Sequence, residues 1–150
     1  MTRAIGWATL IAGTIDILYA ALMSSIYGRG PAPMLRYVAS GPFPGATDWG
    51  FAGSILGLIV HFTLMGIMAT YFVIAARNWP GVLAKPILSG IVYGLVTYAV
   101  MNWIVVPLRF DVPLPPKPIS IASQLFAHIV LVGIPIALIV AKMLRPRAIA

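Results

Sequence analysis

From Gly50 to Ala76 the chain runs without a single charged residue, a length that fits one helical crossing of a hydrocarbon core about 30 Å thick. Within this run Gly53, Gly57 and His61 fall at four-residue intervals, which on a helix stacks them along one face. Glycines four apart let a neighbouring backbone approach closely in lipid. A small-residue face that ends in an imidazole gains nothing by facing acyl chains. It therefore predicts a packing face, turned toward the rest of the protein.

Three further apolar runs accompany it, over residues 4–27, 86–108 and 121–142. The first is too long for the apolar region of a signal peptide and carries Asp16 in its middle, so it reads as a span. Pro86 opens the third run, where its missing N–H costs nothing, and Ser120 is placed to cap the fourth. The composition agrees: 61% of residues are hydrophobic and 9% charged, with a mean hydropathy of +0.99. The predicted fold is all-α, a polytopic membrane protein built as one four-transmembrane-helix bundle over residues 1–150. Ten lysines and arginines give a formal charge of +7, but they stand singly between apolar runs and form no basic stripe. They read as topology signals and lipid-headgroup contacts, and nucleic acid is not a predicted partner. The chain has no cysteine, which removes disulfides, thiol catalysis and cysteine-based metal sites.

The connections differ in kind. Residues 77–85 form a tight hairpin with Trp79-Pro80-Gly81, predicting antiparallel neighbours in the second and third spans. Residues 28–49 form a long first outer loop. It contains a short interfacial helix, Pro33 to Ser40, with Met34, Leu35 and Val38 on one side and Gly41-Pro42 to stop it. That helix is expected on the membrane surface or in the mouth of the bundle. Residues 109–120, with four prolines, predict an extended strap. Arg3, Arg77, Lys85, Lys142, Arg145 and Arg147 lie on one side, against Arg29, Arg36, Arg109 and Lys117 on the other. This six-to-four bias predicts that both termini are cytoplasmic.

The polar residues within the spans are the candidate site. An ionised Asp16 at mid-span costs about 2.5 to 3.5 kcal/mol on insertion scales and calls for a partner. At 1.5 Å of rise per residue, Asp16 and His61 lie about 16 and 15 Å from the outer end, and Asn102 and His128 about 9 and 10 Å. Depth pairs Asp16 with His61, and Asn102 with His128. Gly90, Gly94, Tyr98 and Asn102 form a second four-residue column, and Gln124 stands one turn above His128. Pro135 frees the Leu131 carbonyl one turn below. The ligand or proton-relay candidates are Asp16, His61, Asn102, His128, Tyr98 and Gln124; Gly53, Gly57, Gly90 and Gly94 are helix-packing positions. The plainer alternatives are packing for the glycines and interhelical hydrogen bonding for Asn102, Tyr98 and Gln124. No metal site is expected, because Asp16, His61 and His128 lie at different depths.

Gly13-Thr14-Ile15-Asp16, Arg36-Tyr37-Val38-Ala39-Ser40-Gly41, Leu56-Gly57-Leu58 with His61-Phe62, Tyr93-Gly94, Tyr98, Met101-Asn102, Pro107-Leu108 and His128 with Gly133 and Pro135 span nearly the whole sequence. This pattern resembles an uncharacterised family of four-span bacterial inner-membrane proteins, and more distantly the YagU-type membrane proteins. The resemblance implies a bacterial inner-membrane location and no particular chemistry. The residues themselves support three readings. The first is a non-enzymatic accessory or structural component of the membrane, of a larger membrane complex or of a homo-oligomer. The second is a small proton-responsive transporter or channel-like protein using Asp16 and His61. The third is a haem-binding bundle with His61 and His128 as axial ligands, the one cofactor the sequence admits.

Overall fold

The computed structural model describes residues 1–144, and these are helical throughout their ordered elements. Four helices are long and apolar enough to cross a bilayer: span 1 (Thr2–Ile26), span 2 (Gly50–Asn78), span 3 (Pro86–Phe110) and span 4 (Pro118–Leu144). The chain is a multi-pass membrane protein. Span 4 starts at Pro118 behind Lys117, with no side-chain cap. Ser120 is thus the third helical residue and not the cap the sequence predicts, because proline at the first helical position already omits the orphan N–H. Arg145 and Arg147, counted in the charge bias, lie outside the described residues.

Each span turns one column of small or apolar residues inward. Span 1 buries Ala4, Ala8 and Ala12, none more than 1% exposed, and span 2 buries Gly53, Gly57, His61, Met65 and Ala69 at the same four-residue spacing. Below the site, the inner half of the bundle holds an apolar core of spans 1, 2 and 4, centred on Phe72, Val73, Val132, Ile136 and Val140. Without water to drive association, such contacts hold by close packing. The small residues supply it.

Span 2 packs on span 1, span 1 on span 4, and span 4 on span 3. Spans 2 and 3, joined by the tight hairpin, meet through side chains: Tyr93 Oη donates to the Met68 carbonyl at 2.7 Å, and the Phe72 and Tyr93 rings stand edge to face at 5.1 Å. The two spans are neighbours, in contact through their side chains. Large rings hold these two helices apart, while the glycines of span 3 face the other way. A Cβ on Gly90 would stand 2.6 Å from Ile134 Cα, and one on Gly94 2.6 Å from Ile129 Cα, so the backbones of spans 3 and 4 touch.

Spans 3 and 4 each contain a π-helical stretch, Met101–Val105 and Ala127–Gly133. In both, an N–H reaches the carbonyl five residues back: Val106 to Met101 and Ile134 to Ile129. Pro107 and Pro135 follow directly, each removing a donor from the four-residue ladder. The ladder slips by one residue to absorb the loss.

The short helix of the first connection spans Pro31–Ser40, followed by a 3-10 turn over Pro44–Asp48. It docks on span 2, in the groove left by Gly53 and Gly57. A Cβ on Gly57 would collide with the Leu35 carbonyl, and one on Gly53 with the Ala46 carbonyl. The glycine face therefore packs against the protein, as its spacing predicts, and what it receives is the outer helix and the turn that follows it. Ser54 Oγ donates to the Ala32 carbonyl at 3.2 Å. At the far end Arg109, from the last turn of span 3, donates to the Ser40 carbonyl at 2.6 Å and to that of Gly41, while Phe110 stacks on Tyr37 at 4.5 Å. A guanidinium on terminal carbonyls is a favoured C-terminal cap. The strap between spans 3 and 4 shortens to residues 111–117, because span 3 continues through Phe110.

Candidate functional site

Asp16 continues the alanine column of span 1 by one more turn, and this brings it to span 2. His61 Nδ1 lies 4.0 Å from Asp16 Oδ2, with side-chain exposures of 10% and 21%. The other ring nitrogen, Nε2, lies 2.9 Å from the Gly13 carbonyl. A carbonyl oxygen only accepts, so Nε2 carries a hydrogen and donates it. That bond fixes the ring and leaves Nδ1 facing the carboxyl group. At 4.0 Å the two are charge partners and not directly hydrogen-bonded.

Gly13 makes the approach possible, since a Cβ there would stand 2.8 Å from Phe62 Cε1. Phe62 also stands edge-on to the His61 ring, with centroids 5.2 Å apart. The imidazole is thus held by a carbonyl on one side and a phenyl ring on the other. Sequence reasoning passed over Gly13 as a functional position. Its signal was the Gly13-x-x-Asp16 spacing, which puts a backbone acceptor and a carboxyl group on one stretch of helix.

Span 4 supplies His128 from within its π-helical stretch. Nδ1 donates to the Gln124 carbonyl at 3.0 Å, and the ring stands edge-on to Tyr98, centroids 6.0 Å apart. Tyr98, 7% exposed, accepts from Trp103 Nε1 at 3.2 Å through its hydroxyl. Asn102 does not hydrogen-bond His128. Its Nδ2 donates to the Tyr98 carbonyl at 3.3 Å on its own helix, a local bond available because the π-helical stretch begins at Met101. Gln124 lines an open cleft at the outer end. The structure therefore brings together Asp16 and His61, sets His128 against Tyr98, and leaves Asn102 and Gln124 aside.

Between Asp16 and that cleft lies one polar contact. Tyr19, one turn outward from Asp16, shares a hydrogen bond of 2.9 Å with Ser123 Oγ and packs on Phe126 at 5.4 Å. Among the described residues no three histidine or acidic side chains gather closely enough to hold a metal ion. Both nitrogens of His61 face groups of this chain, so the geometry lends the haem reading no support.

What the arrangement can do chemically is share a proton between an imidazole and a carboxyl group. With one proton shared, the pair is either a carboxylic acid beside a neutral imidazole or a carboxylate beside an imidazolium. Both forms are neutral overall, and the low dielectric favours neutrality. Removal of that proton leaves one uncompensated negative charge inside the bundle. The fold and site together define a small multi-pass membrane protein with an intramembrane Asp–His pair. Comparison with protein families, curated proteins and solved structures finds no match to the chain.

Proposed function

We propose that the protein is a non-enzymatic, proton-responsive component of a bacterial inner membrane, working within a homo-oligomer or a larger membrane complex. The observation that carries this reading is the Asp16–His61 pair, with Nε2 spent on the Gly13 carbonyl and Nδ1 left to face the carboxyl group. Loss of the shared proton puts a net charge between spans 1 and 2, and an uncompensated charge at that depth favours wetting or separation of the two helices. Proton occupancy thus biases how these spans pack. At most 39% of the most apolar window of any span is buried within the chain, which leaves broad faces for lipid or a neighbouring subunit. The inner-membrane location rests on the family resemblance, and cytoplasmic termini on the lysine and arginine bias.

Infrared difference spectroscopy on the protein in lipid tests the reading. A protonated-carboxyl band that titrates, disappears in Asp16→Asn and moves its midpoint in His61→Gln is expected. The reading fails if no carboxyl band titrates, or if the band survives Asp16→Asn. Proton-flux assays in vesicles then separate transport from a purely conformational response.

A further inference from the structure

The open cleft at the outer end has a volume of about 660 Å³ and lies between the outer helix, the last turns of span 1 and the first turn of span 4. Three cations from three different elements line it: Arg29, Arg36 and Lys117. Neither acid of the outer connections, Asp48 nor Asp111, lines it. Among the described residues Asp16–His61 is the one acid–base pair within 4.0 Å, so these three cations have no carboxylate partner at that distance. Arg109, the fourth cation of this end, is spent on the outer-helix carbonyls.

The cations are placed by the fold. Gly28 and Gly30 both have positive φ, of 75° and 74°, and the turn between them is closed by Ser24 Oγ donating to the Gly30 carbonyl at 2.8 Å; Arg29 sits at its apex. The aliphatic stem of Arg36 packs over Gly53, its Cγ 3.2 Å from where a Cβ would stand. Lys117 immediately precedes the first helical residue of span 4. Hydroxyl donors complete the wall, from Ser120 and Ser123. Tyr37 also lines it; partial burial pushes its phenol up from the usual range, with Arg29 and Arg109 pulling the other way.

Apolar side chains complete the lining, Met23 from span 1, Met34 from the outer helix and Ile119 from span 4. A cationic basin with hydroxyl donors and apolar neighbours fits an anionic headgroup whose chains run down the outside of the bundle. Isolated surface cations would need no common cavity.

We infer that this cleft is a binding site for one phosphate-bearing anion, held by Arg29, Arg36 and Lys117. The chemistry is shared by an anionic phospholipid headgroup and by free phosphate, and the test separates them. Detergent-solubilised full-length protein is titrated with phosphatidylglycerol, with phosphatidylcholine and with inorganic phosphate, and bound species are counted by native mass spectrometry. One retained phosphatidylglycerol, preferred over phosphatidylcholine, identifies the lipid; displacement by millimolar inorganic phosphate, or its direct retention, identifies the phosphate group itself. In the triple variant Arg29→Gln, Arg36→Gln, Lys117→Gln, affinity falls about tenfold or more. The variant Arg3→Gln, Lys85→Gln, Lys142→Gln removes the same charge from the other end and keeps parental affinity. Single Lys117→Gln, in an exposed position, gives a smaller loss and covers any misfolding of the triple. Equal losses in the two triple variants would overturn the site, as would phosphatidylglycerol binding no better than phosphatidylcholine together with no phosphate effect.

Discussion

Replacing Gly57 by alanine tests whether the outer helix is clamped to span 2 or merely rests on the membrane. The added Cβ would collide with the Leu35 carbonyl oxygen and stand 2.6 Å from its carbon and 3.0 Å from its Cα. All three are backbone atoms, so no rotamer change relieves the contact; the outer helix has to lift. Overpacking of this kind costs about 1–3 kcal/mol. A central value of about 2 kcal/mol multiplies the undocked population roughly 30-fold. The chain has no cysteine, so a single Ser40→Cys probe reports this event cleanly. Ser40 is 5% exposed, and a thiol there reacts with a membrane-impermeant maleimide only when the helix lifts. Labelling of Gly57→Ala in this background is expected about 30 times faster than in the parent. Gly66→Ala, whose Cβ would meet nothing closer than Thr9 Oγ1 at 3.8 Å, should label at the parental rate. Equal rates for Gly57→Ala and the parent would show that the glycine groove does not hold the outer helix.

Arg109→Gln removes the guanidinium from the Ser40 and Gly41 carbonyls and, in the same assay, should speed labelling about 5-fold, the weight of one charge-assisted capping interaction of about 1 kcal/mol; an unchanged rate would dismiss the latch. For the central pair, Asp16→Asn combined with His61→Gln should destabilise less than the sum of the single changes, by about 0.5–3 kcal/mol in denaturant unfolding, and strict additivity would exclude interaction between them. Tyr19→Phe loses its bond to Ser123 and is expected to lower stability by about 0.5–1.5 kcal/mol in the same unfolding assay, while a Ser123→Ala background should erase that difference. Gly133→Ala, whose Cβ would collide with the Gly90 carbonyl, should lower the melting temperature, whereas Gly6→Ala, with nothing within 4 Å, should leave it within a degree or two or raise it slightly.

The four spans were legible because lipid demands long uninterrupted apolar helices, and the sequence supplies them almost to the residue. The partners of the glycine columns were not. Spacing identifies a face that admits a backbone, but it does not say which backbone arrives. Gly53 and Gly57 could as well have received a membrane span, and only the tertiary fold brings the Leu35 and Ala46 carbonyls there. The tight hairpin indicates that spans 2 and 3 are neighbours, but not that Phe72 and Tyr93 fill the space between them.

The depth argument paired Asp16 with His61 and failed for Asn102 and His128, and the difference has a physical cause. Depth along a regular helix fixes height and leaves rotation free. For Asp16 the rotation is legible in the sequence: Ala4, Ala8, Ala12 and Asp16 share one column, and an unbroken alanine face, buried in the fold, carries the carboxyl group inward with it. His61 has the same support from Gly53 and Gly57 before it and Met65 and Ala69 after it. Asn102 and His128 both stand in π-helical stretches, where one extra residue per turn rotates everything beyond by a large fraction of a turn. Four-residue spacing ceases to report a common face there. Asn102 accordingly turns back to its own helix, while His128 stands edge-on to Tyr98. The proline that follows each stretch was the warning in the sequence, and a helix that must lose a hydrogen bond ahead of a proline is the place where counting by fours stops being safe.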